Sequence, residues 1–297
     1  RSVIVSSDIH GMVFYHHCHR SVMGFNINTK RILGKYENIS FKSSTVFALD
    51  ALQLGSTVEY VDSLGIMAIL SPGALIIVST TNMVRTQYKT GRPKIVDGSI
   101  PESGCQAWFP AHVLKSGEKV PAKLAYCFSN VLTILEVKSS GESLLFDSKK
   151  RWVCEESILG IQWVNPGLIA MVTPAQRLVL VNEKTMKVVR SMDLLSKHLF
   201  KLDHGYTFPN SYSSTFKTYK GKLFFVGKYE ILIGSNPSWI DILLDLINHG
   251  DYITAIETSG RYYLGLEDLD IVDLPLDAKT RHPLVLKYLA DVIRSSA

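Results

Sequence analysis

Apolar and polar positions alternate along most of the first 235 residues, and they do so in a recurring form: two apolar-rich runs separated by a tight polar turn. Five stretches share it, "VIVSSDIHGMVFYH" (3–16), "ALIIVSTTNMVRTQYK" (74–89), "KLAYCFSNVLTILEV" (123–137), "LIAMVTPAQRLVLVN" (168–182) and "KLFFVGKYEILIGS" (222–235). A period of two bounded by turn residues predicts a β-hairpin in each. A further apolar strand is expected ahead of three of them, at 65–70, 104–110 and 160–165, and a fourth strand after two, at 151–157 and 186–192. Four antiparallel strands recurring about every 40–55 residues is the period of propeller blades stretched by loops. The interval between the first two hairpins is longer, and "VFALDALQLGSTVEYV" is assigned there to an outer strand and a connection. An eight-stranded barrel or a sandwich is the competing all-β reading, and the near-equal hairpins favour the propeller.

Within each blade the second strand is expected to carry the burial, through Ile76, Val78, Leu124, Tyr126, Ile169, Met171, Phe224 and Val226. Roughly four and a half to five blades are counted, where a common propeller has about seven. The chain opens on Arg1 inside a strand, so it is expected to be a segment of a longer polypeptide with further blades ahead of it.

The period changes to helical at residue 236. In "SWIDILLDLINHGDYITAIE", Trp239, Ile240, Leu243, Leu244 and Ile247 form one apolar stripe, Ser238 is placed to cap the helix start and Gly250 its end. Asp251 caps a second helix bearing Tyr252, Ala255, Ile256, Tyr262 and Tyr263, with Gly260 a weak point near its end. A third, "HPLVLKYLADVIRSS", has its stripe at Leu284, Tyr288 and Val292, with Leu289 and Ile293 beside it. One helical hairpin cannot cover both its faces, and repeat proteins stack the next hairpin on it. The predicted fold is therefore mainly β with α: blades of an incomplete β-propeller over 1–235, then the first helical hairpins of an α-solenoid over 236–297. Only "GSNPS" separates the two, so the join is expected to be stiff, with Trp239 a core residue packed on the last blade or the second helix.

Charge divides along the same boundary. Residues 1–235 carry 27 Lys and Arg against 17 Asp and Glu, net +10, and residues 236–297 carry 5 against 10, net −5. The basic residues are scattered, with no block longer than "KKR" (149–151) and no aromatic-basic motif, so nucleic acid is not an expected partner. No apolar run approaches the roughly 20 residues of a membrane span, and a secretory leader pattern is lacking at the start, so the protein is not expected to be secreted. Cys18, Cys105, Cys127 and Cys154 lie far apart without a C-x-x-C, which predicts buried thiols.

A search for catalytic chemistry returns no constellation. Glu155 and Glu156, read as neighbours on a strand, point to opposite faces and cannot flank one bond. "HHCH" (16–19) places at most two ligands on one face of a strand. "DHG" (203–205) reads as a loop turn, the aromatic-hydroxyl string 205–221 as a long blade loop or a contact surface, and Asn38-Ile39-Ser40 as a glycosylation pattern without meaning in the cytosol. No catalytic, cofactor or metal residue is assigned, and a non-enzymatic scaffold is expected.

Particular strings add to this. "YKTGRPK" (88–94), "GCQAWFPA" (104–111), "RWVCEESILGIQWVN" (151–165), "QRLVLVN", "MDLLSKH" (192–198) and the helical opening resemble the family of vacuolar protein sorting-associated protein eight, the Rab-binding subunit of the CORVET endosomal tethering complex. The resemblance implies a propeller, a long α-solenoid and a zinc-binding RING near the far C-terminus; this chain reaches neither the first blades nor the RING, so no zinc is carried over. It implies an effector of an early-endosomal Rab-family GTPase in its GTP form, joined to class C core tether subunits, peripheral on the cytoplasmic face of endosome membranes. Vesicle docking and fusion in endosome and vacuole trafficking is the implied role. The runner-up is another propeller-solenoid scaffold of coat or intraflagellar transport type, and behind it a propeller hydrolase. By the same resemblance the Rab site is expected on the early hairpins or at their junction with the propeller, with Arg261, Tyr262 and Tyr263 as candidate contacts. Adjacent tyrosines on a helix point roughly 100° apart, so at least one is expected to face inward.

Overall fold

The computed structural model describes residues 3–7, 12–17, 21–26, 31–36, 47–52, 61, 64–80, 85–96, 98–113, 117–140, 143–200, 212, 215–235, 237–266, 274–275 and 277–296, with the backbone alone for 3–36, 149, 291–292 and 295–296. The chain divides into two units, Arg1–Ile233 and Gly234–Ala297.

The first unit consists of successive antiparallel sheets. β1 (Val3–Ser7), β2 (Met12–His17), β3 (Ser21–Asn26) and β4 (Arg31–Tyr36) form one; β5 (Ala48–Ala51), β6 (Ile66–Leu70), β7 (Ala74–Ser79) and β8 (Arg85–Gly91) the next. The third joins β9 (Gly104–Phe109) to β12 (Ala122–Phe128), β13 (Val131–Ser140) and β14 (Ser143–Val153), with a side ribbon of β10 (His112–Val113) and β11 (Lys119–Val120). The fourth runs β15 (Gly160–Asn165), β16 (Leu168–Val172), β17 (Arg177–Asn182), β18 (Val188–Asp193). The fifth has three strands, β19 (Phe216–Tyr219), β20 (Lys222–Val226) and β21 (Ile231–Ser235). The first strands lie side by side in chain order, β1 by β5, β5 by β9, β9 by β15 and β15 by β19. Sheets that radiate from neighbouring first strands are propeller blades.

All five expected hairpins are present, but they do not occupy equivalent places. The first is strands one and two of its blade, the second strands three and four, and the other three are strands two and three. That phase change explains the long first interval. The segment assigned to an outer strand instead supplies β5, the innermost strand of the second blade, and Ile76 and Val78 sit on a third strand, not a second. The fourth strand expected at 151–157 begins at Ser143 and ends at Val153. Glu155 and Glu156 therefore lie in a bend after β14, where Glu156 comes within 4.0 Å of Arg177.

Burial follows from stacking. Leu124, Tyr126 and Phe128 pack with Ile66, Ala68, Leu70, Leu75 and Ile77 of the second blade, while Ala125 and Cys127 on the opposite face pack with Ile161, Trp163, Ile169 and Met171 of the fourth. A strand covered on both sides has no polar face, which is why β6, β7, β12 and β16 are buried throughout. In β20 the register is opposite to the expected one. Leu223 and Phe225 are buried against the fourth blade, Phe224 is half-buried and Val226 exposed. Four apolar residues in a row, "LFFV", leave alternation silent about which face turns inward.

Gly104 and Gly160 open equivalent inner strands at points where a side chain would clash with a neighbouring segment (Gly104) or crowd it (Gly160). A Cβ on Gly104 would lie 2.3 Å from Phe47 Cδ2, and one on Gly160 3.1 Å from Tyr212 Cβ. Side-chain bonds then stitch the seams: Trp163 Nε1 donates to Ala107 O (3.0 Å), Gln106 Nε2 to Ala68 O (2.9 Å), and Trp108 Nε1 to Asp50 O (3.2 Å). The Asp50 carboxylate also accepts from Trp108 N at 3.2 Å.

Burial pushes the Asp50 carboxyl up to about 6, against the opposing pull of the Trp108 N–H, the Lys217 charge and the Ala51 N–H. Because the folded value exceeds the unfolded one, the neutral form is favoured. The stability this gives is complete below pH 4 and is lost as pH rises through 6, amounting to at most about 3 kcal/mol for a two-unit shift. Asp50→Asn keeps an acceptor for Trp108 and removes the charge. Urea unfolding at pH 4 and 7.5 should find the variant equal to wild type at the lower pH and about 1–3 kcal/mol more stable at the higher. Equal stability at both values would contradict this account of the seam.

Three helices make the second unit: α1 (Trp239–Asn248), α2 (Tyr252–Leu264) and α3 (Ala278–Ser296). Ser238 and Asp241 form a reciprocal capping box, with Ser238 Oγ accepting from Asp241 N and Asp241 Oδ2 accepting from Ser238 N. Gly250 follows α1 at φ +76°, a conformation glycine adopts without strain. Asp251 caps α2, which runs through Gly260 to a left-handed Gly265. α3 starts four residues earlier than expected because Asp277 caps it through Thr280, and it carries Pro283 inside its second turn.

Candidate partner-binding site on the helical hairpin

Trp239 organises the hairpin. It is fully buried, with the ring of Tyr262 edge-on at 6.2 Å and that of Tyr288 at 5.1 Å. Leu243 and Val285 complete this small core. Within the helical unit its partners are the second helix, which was expected, and the third, which was not.

The three candidate contacts part company here. Tyr262 is buried in that core, Tyr263 is half-buried one step round the helix, and Arg261 is exposed. Tyr263 stacks on His282 with ring centroids 4.0 Å apart and planes 18° from parallel. Arg281 fixes the same corner, donating from Nε to Tyr263 O (3.2 Å) and from Nη1 to Pro275 O (3.4 Å). The result is a preorganised aromatic-cationic corner built from the end of α2 and the start of α3. Rigid aromatic side chains beside arginine are what protein-binding hot spots use, because little side-chain entropy is lost on docking. The same helices carry exposed apolar residues: Leu264 and Leu266 at and just after the end of α2, Ile253 and Ile256 along it, and Leu286 and Ile293 seven residues apart on α3.

The other motifs offer less. Cys105 and Cys127 are buried cross-strand partners, and burial holds the Cys127 thiol well above its usual range, which makes it a poor nucleophile. Among the described residues no three His, Cys, Asp or Glu side chains converge as for a metal ion. The side chains of 16–19, the "DHG" at 203–205 and Asn38 lie outside the described residues, and the string 205–221 contains β19 and ends in the turn after it. No described helix is long and apolar enough to cross a membrane.

Two polar features of the blade seams carry no local signature in the sequence. One is the Asp50–Trp108 seam. The other is an ion pair between Lys123 Nζ of β12 and Glu183 Oε2 after β17, 3.2 Å apart, both side chains less than a tenth exposed.

Blades followed in the chain by three capped helices define a β-propeller protein with a helical extension. The chain belongs to the Vps8 beta-propeller family, whose sequence profile matches residues 1–235, and so to a vacuolar protein sorting family. Vacuolar protein sorting-associated protein 8 of Saccharomyces cerevisiae is 30% identical over 137 residues, 46% of this chain and 10% of that protein, so the match spans about a tenth of the relative's length. Among solved structures, the WD40 domain of SCAP from fission yeast superposes with a TM-score of 0.50 at 12% identity, covering 78% of this chain and 48% of that one. At that identity the likeness shows the propeller fold alone.

Proposed function

We propose that this chain is the propeller-to-solenoid part of a subunit of an endosomal membrane-tethering complex of CORVET type. The subunit binds an early-endosomal Rab-family GTPase in its GTP form and class C core tether subunits, and promotes vesicle docking and fusion in endosome and vacuole trafficking. It works peripherally, on the cytoplasmic face of endosome membranes, as a docking scaffold without turnover. What supports the reading is membership of the Vps8 family in a propeller that passes directly into helices whose apolar residues, Leu286 and Ile293 among them, remain exposed. Such faces take a further hairpin or a partner.

Within this reading the Rab contact includes Arg261 and Tyr263, while Tyr262 acts from the core. In the full-length protein, Arg261→Glu and Tyr263→Ala should each weaken binding to the GTP-loaded Rab protein about tenfold, the size of a moderate hot-spot loss, with binding measured well below the melt because Tyr263→Ala also removes the stacking on His282. Tyr262→Ala should instead lower the melting temperature. Affinity within twofold of wild type in both the Arg261 and the Tyr263 variant removes this corner from the site.

A further inference from the structure

Cations that are scattered along the sequence are gathered by the fold at the outer edges of the third and fourth blades. β14, the outer strand of the third blade, carries Lys150 and Arg151; the turn from β17 into β18 carries Lys184 and Lys187, and β18, the outer strand of the fourth, carries Arg190. Lys150 pairs across the sheet with Ile134, which puts it on the face turned to the fourth blade, and its Nζ donates to Lys184 O. The turn is held in place from within. Asn182 Oδ1 accepts from Lys184 N (2.8 Å) and Thr185 N (2.9 Å), while Met186 packs on the same core cluster as Trp152 of β14. The acid that accompanies these lysines in sequence is withdrawn, since Glu183 turns inward to Lys123. Lys150 is half-buried and the other four are exposed, and among the described residues none of the five has a carboxylate within ion-pair distance. Val188 and Val189, 48% and 40% exposed, lie between Lys187 and Arg190.

We propose that this edge docks on an anionic lipid bilayer. Like charges held together without counter-charges repel one another in the free protein, and a negatively charged surface relieves that repulsion. Each lysine or arginine brought to such a surface strengthens binding about fivefold. The long stems of the cations and the two valines supply apolar contact at the level of the headgroups. An extended acidic peptide is the poorer occupant. It would have to pair with the open side of β14 or β18, and both strands shift register at an irregularity and carry cations, the devices that blunt an edge against pairing. A bilayer needs no backbone register. The choice of lipid rests on the peripheral membrane placement proposed above, whereas the charge cluster itself does not.

Flotation of the full-length protein, purified without partners, with vesicles of phosphatidylcholine alone or mixed with phosphatidylserine tests this. The expected result is binding to the mixed vesicles only, lost at about 0.5 M salt and weakened at least about 25-fold by the double change Lys184→Glu with Lys187→Glu, two charges at about fivefold each. Lys184→Arg with Lys187→Arg keeps the charges and should bind as wild type does, which separates charge from folding. Arg85→Glu with Lys89→Glu makes the same change of charge on β8 of the second blade and should stay within twofold of wild type. Wild type that ignores phosphatidylserine overturns the proposal. So does an equal loss in the β8 variant, which would assign binding to net charge, or displacement from the vesicles by an equal charge concentration of polyglutamate, which would assign the edge to an acidic protein. No Rab protein enters these measurements, so their failure leaves the Rab reading standing, and failure of the Rab reading leaves them unchanged.

Discussion

Replacing Tyr126 or Met171 by Asp should destabilise the propeller by several kcal/mol, enough to unfold a domain of ordinary stability. Tyr126 is 2% exposed between the second and third blades, edge-on to Phe128 at 5.9 Å, and Met171 is 1% exposed between the third and fourth. Both positions are packed in apolar clusters, so the charge must be neutralised or the blades must separate. Burial already raises the Tyr126 hydroxyl to about 12, a direct sign of how poorly the seam holds a charge. Thermal melts followed by tryptophan fluorescence would show the loss, and a variant melting within a degree or two of wild type would contradict the placement.

The Lys123–Glu183 pair should respond differently to single and double change. Lys123→Met or Glu183→Leu alone leaves one buried charge without its partner and should destabilise by about 3–5 kcal/mol, whereas the double variant should recover most of that. A double-mutant cycle by urea unfolding measures the coupling directly. Additive losses would mean that the two charges are solvated separately and that the 3.2 Å contact contributes nothing.

The hairpins were readable because a hairpin is local: alternation and a turn lie within about 15 residues. Blade phase was not, since the hairpin at 3–16 and that at 74–89 look alike in sequence while filling different strand positions. Helix ends were readable from caps, Ser238 and Gly250 above all, whereas Asp277 as the cap of α3 was hidden among the acidic residues of 267–277. For the candidate site, the 100° between neighbouring helix positions foretold that Tyr262 and Tyr263 would differ, but not which would face Trp239. That choice depends on α3, which brings His282 under Tyr263 and Tyr288 against Trp239. The seams were least visible. Lys123 and Glu183, or Asp50 and Trp108, are about 60 residues apart, and only a lone lysine within "AKLAYCF" hinted at a buried charge.

The tethering role is tested most directly by affinity purification of the full-length protein from cell lysate loaded with either a non-hydrolysable GTP analogue or GDP, followed by identification of what co-purifies. The expected result is a large assembly containing class C core tether subunits in both states and an early-endosomal Rab protein enriched in the GTP state. Recovery of coat or intraflagellar transport subunits instead, or of a monomer with no Rab protein in either state, would contradict it.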